Sequence, residues 1–199
     1  GVFLPGGWLA SGDVGQVDAQ GRLYVTGRAK DMIIRSSHNF DPLMIEDTLQ
    51  NHPDVLMAAA VGAPDEYAGE LPVAYVTLRP GATTDAPSLL FFAEQHMPER
   101  PAVPKQIVVL DALPVTAIGK FFKPRLREMA AQQVIEDRLA QRGLSGTVAA
   151  QVLADSKGVQ VIFDCGGNAA AAARVKDMMA PFALRWRIAD HASAPHVGA

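Results

Sequence analysis

An α+β fold is predicted, with a small mixed sheet and flanking helices, preceded by a β-hairpin and followed by a small α/β appendage. Three observations lead to it. Short β-prone segments flank the turn Asp18-Ala19-Gln20-Gly21; the apolar runs 55–61 and 73–78 have strand length and lie between helix-period segments; and a strand, strand, helix, strand pattern follows Gly143.

In chain order, Val14 to Val17 and Arg22 to Thr26 form the two arms of the hairpin. A lone hairpin is marginal, and Phe3, Leu4, Trp8 and Leu9 need an apolar surface to pack on. The sequence starts Gly1-Val2-Phe3 without methionine, and the expectation is a piece of a longer protein. Met32-Ile33-Ile34 reads as a short buried strand, and the polar stretch Ser36 to Pro42 separates it from a helix over Leu43 to Asn51 that Asp41-Pro42 can start.

Val55 to Val61 reads as a buried strand, Asp65 to Glu70 as a polar connector, and Val73 to Leu78 as the next strand before Pro80-Gly81. A helix over Ser88 to His96, a Pro-rich connector 98–104 and a strand over Lys105 to Leu110 follow. Leu113 to Lys120 reads as a loop with one lysine at its tip, and Pro124 to Arg142 as a helix with Gly143 as its C-cap. In the tail, 148–153 and 159–163 read as strands, 168–179 as an alanine-rich helix and 184–188 as a third strand; 190–199 reads as a frayed end.

At 199 residues the chain is one domain or a small domain with an appendage. A net charge of −3 gives no basic field for nucleic acid, and no apolar run is long enough to span a membrane. The one cysteine, Cys165, excludes an internal disulfide and a multi-cysteine metal site, which suits a reducing cytoplasm.

Gly12-Asp13, Gly27-Arg28-Ala29-Lys30-Asp31, Gly62-Ala63-Pro64-Asp65-Glu66, Gly69 to Ala74 and Pro114 to Lys120 stand in an order and spacing that resemble the adenylate-forming acyl-CoA synthetase superfamily, over roughly the first two-thirds of the chain. The resemblance implies an enzyme that activates a carboxylic acid with MgATP to an acyl-adenylate and then acylates coenzyme A. It implies three parts. Residues 1–29 would be the last hairpin segment of a large AMP-binding domain, residues 30–143 a mobile lid domain, and residues 144–199 an extension of unassigned role. The fragment alone is expected to be inactive, with ATP, AMP and magnesium held mainly by the large domain, its own partner in the same protein. A place in fatty-acid metabolism is the corresponding expectation.

By the same resemblance, Asp13 accepts hydrogen bonds from the ribose hydroxyls, a role for an acceptor-only carboxylate, and Arg28 assists there. As bare residues, Gly12-Asp13 read as ordinary turn residues, and only their place ahead of the hairpin raises them. Lys30 matches the hinge whose torsions absorb the domain rotation; read alone, it is a solvated lysine. Lys120 matches the lysine that contacts the substrate carboxylate and the α-phosphate, where a cation offsets the charge brought together as one anion attacks another. Alone, it is a surface-loop lysine.

Ser36, Ser37 and His38 match the loop lining the pantetheine tunnel, where many relatives carry Gly-Gly-Glu; two serines add Cβ atoms where positive φ can be needed. His38 is better read as a hydrogen-bonding loop residue than as a general base. Pro101-Ala102-Val103-Pro104 lacks the lysine of the relatives' Tyr-Lys-Val-Pro and is assigned no coenzyme contact. Asp164 to Asn168 reads as a turn with Asn168 as a helix N-cap rather than as a phosphate site, and His191 and His196 show no zinc spacing. Two alternatives stay open: an enzyme that loads a carrier protein instead of free coenzyme A, and a non-catalytic regulatory or assembly module.

Overall fold

The computed structural model describes residues 3–155 and 158–190. The chain forms two compact units, Gly1–Gly62 with Leu71–Leu113, and Ala63–Glu70 with Pro114–Ala199.

The first unit opens with the antiparallel ribbon of β1 (Asp13–Val17) and β2 (Leu23–Arg28). Asp18 organises its turn. Its carboxylate accepts the backbone N–H of Gln20 and of Arg22, both at 2.9 Å, and pairs with Arg22 Nε at 2.6 Å. These bonds, the Arg22 N–H first, hold its carboxyl below the usual range. A single 3-10 turn, Ala29–Asp31, leads into β3 (Ile33–Arg35) and β4 (His38–Phe40), an antiparallel pair with Arg35 opposite His38.

Three further elements come next: α1 (Pro42–Gln50), β5 (Val55–Asp65) and β6 (Gly69–Leu78). They are followed by α2 (Ala86–His96) and β7 (Gln106–Val109). The sheet runs β4-β3-β6-β5, and β7 joins β6 in parallel. Alternate residues Ala58, Ala60, Ala74 and Val76 pack with Ile45 and Leu49 of α1 and Leu89 of α2. Ala59, Val61 and Tyr75, on the opposite face of the same strands, are buried too, which is why these runs are continuously apolar. Burial pushes the Tyr75 phenol up to about 12. At the edge of the sheet, the buried Glu46 of α1 accepts the N–H of Ala60 at 2.8 Å, a backbone donor that no neighbouring strand serves.

In the second unit, Asp65 Oδ1 accepts the N–H groups of Tyr67 and Ala68 at 3.0 and 2.7 Å and so turns the chain between β5 and β6. Residues 114–122 form a small hairpin, followed by α3 (Lys123–Gln141). Then come β8 (Ala149–Asp155), β9 (Gly158–Asp164), α4 (Ala169–Met179) and β10 (Arg185–Ile188). β9 lies between antiparallel β8 and parallel β10. Ile135 and Leu139 of α3, Val161 and Phe163 of β9, and Val175 and Met179 of α4 share one core. Asn168 caps α4 by accepting the N–H of Ala171 at 3.0 Å, as its residue type predicts.

The architecture is the expected mixed α/β one, with corrections in detail. The polar stretch after Ile34 is not all loop: His38-Asn39-Phe40 is a strand that buries Phe40. The connector 65–70 is half strand, because β5 runs to Asp65 and β6 starts at Gly69, leaving only 66–68 as a turn. Residues 191–199, with His191 and His196, lie outside the described residues.

Candidate functional site

Asp13 and Arg28, fifteen residues apart in sequence, are cross-strand partners at the open end of the ribbon, with Arg28 Nε 3.1 Å from Asp13 Oδ1. A further bond, Ala29 N–H to Gly12 O at 2.9 Å, closes the same end. The Asp13 side chain is 35% exposed and the Arg28 side chain 54%, so the pair offers a carboxylate acceptor and a guanidinium donor to a ligand hydroxyl while staying fixed by the register. Lys30 follows two residues later, exposed in the middle of the 3-10 turn between ribbon and sheet.

Ser36 and Ser37 are the two-residue turn of the β3–β4 hairpin, and Ser36 has φ 55°. His38 starts β4, with its ring parallel to that of Phe40 and the centroids 6.0 Å apart. All three loop residues are exposed. Arg35, at the base of this turn, donates from Nη1 to the Pro101 carbonyl at 2.5 Å, tying the hairpin to the 98–104 segment. No residue pattern marks this contact, because its acceptor is a backbone carbonyl 66 residues away.

Asp41 has a second duty that its Asp-Pro signal did not reveal. It caps α1 through Leu43 N–H at 2.9 Å and also lies against Gly27, where a Cβ would stand 2.5 Å from Asp41 Oδ2. Glycine at 27 lets the end of β2 approach the helix cap this closely.

Lys120 lies in the second unit. It is exposed, but it is not the tip of its loop. Thr116 to Gly119 make the turn, closed by Gly119 N–H to Thr116 O at 2.9 Å. Lys120 then pairs back, with Thr116 N–H donating to Lys120 O at 2.7 Å and Lys120 N–H to Thr116 Oγ1 at 3.2 Å. The backbone at Lys120 is therefore pinned while the residue stays exposed. Cys165 is buried, and burial and then Asp164 push its thiol up, which makes it a poor nucleophile at neutral pH. Among the described residues no group of three or more His, Cys, Asp or Glu could hold a metal ion, and no helix is long and apolar enough to cross a membrane.

The described elements are a mixed sheet flanked by helices, a ribbon before it that pairs Asp13 with Arg28, and a hairpin after it that fixes the backbone of Lys120. Residues 44–120 match the family described as AMP-binding enzyme C-terminal domain. Among curated relatives, the marinolic acid–CoA ligase of Pseudoalteromonas sp. is 56% identical over 121 residues, which are 61% of this chain and 18% of that protein. The indoleacetate–CoA ligase of Aromatoleum aromaticum is 40% identical over 137 residues, 69% of this chain and 27% of the relative. Among solved structures, ATP-bound MatB from Rhodopseudomonas palustris superposes with a TM-score of 0.61 at 31% identity, covering 64% of this chain and 25% of MatB. The chain thus spans about a fifth to a quarter of the length of the relatives it matches.

Proposed function

We propose that this chain is the C-terminal portion of an AMP-forming acyl-CoA synthetase, an acid–thiol ligase that converts a carboxylic acid and ATP into an acyl-adenylate and then transfers the acyl group to coenzyme A. The observation that carries this reading is the family match over residues 44–120, which ends on Lys120, together with 56% identity to a CoA ligase.

In this reading Asp13 accepts from the ribose hydroxyls and Arg28 holds Asp13 in register while donating to the same sugar. Residues 1–29 close the large AMP-binding domain, and residues 30–143 form the lid that pivots at Lys30. Lys120 brings its ammonium to the reacting carboxylate and α-phosphate, where it offsets the charge of two approaching anions. Ser36, Ser37 and His38 line the path of the pantetheine arm, with Arg35 bracing the hairpin against Pro101. The ATP-bound state of MatB supports a nucleotide site in this family. Magnesium would accompany ATP in the large domain. The single Cys165 suits a reducing, cytoplasmic setting, and the acid–thiol chemistry suits a role in fatty-acid or related acid metabolism, with the acid and the large domain as partners and no nucleic acid.

The test is product analysis. The full-length protein, given ATP, coenzyme A and a panel of aliphatic and aromatic acids, is expected to release acyl-CoA and AMP with one acid class. AMP formation without acyl-CoA, rising on addition of a phosphopantetheinyl carrier protein, would replace coenzyme A by a carrier as acceptor. No AMP with any acid would remove the catalytic reading.

A further inference from the structure

The 144–190 extension is not an independent appendage, because it shares its core with the helix that begins at the Lys120 hairpin. The hairpin runs into α3 without a linker: Phe122 N–H donates to Pro114 O at 2.8 Å, and Arg125 N–H donates back to Phe122 O at 3.0 Å. The far half of the same helix supplies Ile135 and Leu139 to the core of the β8–β10 sheet, and each such side chain is worth about 1.5–3 kcal/mol when fully buried. Gly143, with φ 60°, ends the helix. Its N–H bonds Ala140 O and the next N–H, of Leu144, bonds Leu139 O at 2.8 Å, so the first residue of the extension is fastened to the last turn of α3.

A second tie lies nearer the hairpin. Glu128 Oε1 accepts the N–H of Ala154, on edge strand β8, at 2.9 Å, and Glu128 Oε2 pairs with Arg125 Nη1 at 2.9 Å. The extension thereby reaches the second turn of α3, less than two turns from the hairpin closed at Phe122. At 1.5 Å per residue the helix is about 28 Å long, so a small tilt against the sheet becomes an ångström-scale displacement at its hairpin end.

We propose that residues 144–190 buttress the Lys120 hairpin through α3, with Glu128 as the positioning residue that holds the hairpin end of the helix to β8. This rests on the reading of Lys120 as the adenylation lysine. The extension then favours the adenylation half-reaction, in which Lys120 must meet two anions at fixed distance, over the thioester half-reaction, which uses the 36–38 loop.

The test uses the full-length enzyme with Glu128→Leu, Glu128→Gln and Lys120→Ala. It follows acid-dependent pyrophosphate exchange, thioester formation from supplied acyl-adenylate, and amide hydrogen exchange across 114–122. Glu128→Leu is expected to lower pyrophosphate exchange by up to about a hundredfold, as an ångström of misplacement can, and to speed amide exchange in the hairpin while keeping thioester formation. Glu128→Gln, which keeps an acceptor for Ala154 N–H, restores most of the exchange activity. Equal loss in both half-reactions of Glu128→Leu would make the residue merely structural and overturn the buttress. Wild-type exchange in Glu128→Leu beside a dead Lys120→Ala would overturn it and leave the adenylation reading intact. Wild-type exchange in Lys120→Ala would overturn the adenylation reading and the buttress with it.

Discussion

Ser36 is the one non-glycine residue with positive φ among the described residues, at 55°. A left-handed conformation costs an L-residue about 1–2 kcal/mol, partly offset by the smaller unfolded-state entropy of serine relative to glycine. Ser36→Gly is therefore expected to raise stability by about 0.5–1 kcal/mol, seen as a higher urea midpoint at unchanged slope. Gly27 is the opposite case, because its missing side chain leaves room for Asp41. Gly27→Ala should drive the Asp41 carboxylate off the α1 cap and cost about 1 kcal/mol or more, measurable by the same unfolding curve. At this scale the sequence was informative about chemistry and silent about contact. Asp13 and Arg28 could be named from their motifs, and their pairing across the ribbon follows from the turn at Asp18. The Arg35–Pro101 and Glu128–Ala154 bonds have backbone partners with no residue signature, so nothing in the sequence marked them.

Elements with strong local signals were legible: Asp41-Pro42 starts α1, Asn168 starts α4 and Gly143 ends α3. β4 was missed because its turn is Ser-Ser rather than an Asn-Gly type and its one apolar residue, Phe40, gives no alternation. Helix caps also set pH dependence. Asp85 caps α2 through Ser88 N–H at 2.9 Å, and its hydrogen bonds with Ser88 hold its carboxyl below the usual 3.8. A depressed folded value means that the cap contributes fully above the unfolded value and is lost as pH falls through the folded one. NMR titration of the Asp85 carboxyl should give a midpoint below 3.8, and in Asp85→Ala the acid end of the stability profile should flatten. A midpoint at or above 3.8 would mean that the cap is not formed in solution.

For the whole molecule, the division into two compact units puts the ribbon, Lys30 and the 36–38 loop in one and the Lys120 hairpin with the extension in the other. The sequence showed the strand and helix order but not this division, because the core that joins α3 to the tail is built from Ile135 and Leu139, which look like ordinary helix-face residues until their partners in β9 and α4 are known. The central claim is that Lys120 acts in adenylation, and the most direct measurement is acid-dependent exchange of pyrophosphate into ATP by the full-length protein and its Lys120→Ala variant. Loss of one preorganised charge at a developing anion is expected to cost about a hundredfold or more in that exchange, with thioester formation from supplied acyl-adenylate much less affected. Exchange at the wild-type rate in the folded variant would contradict the account.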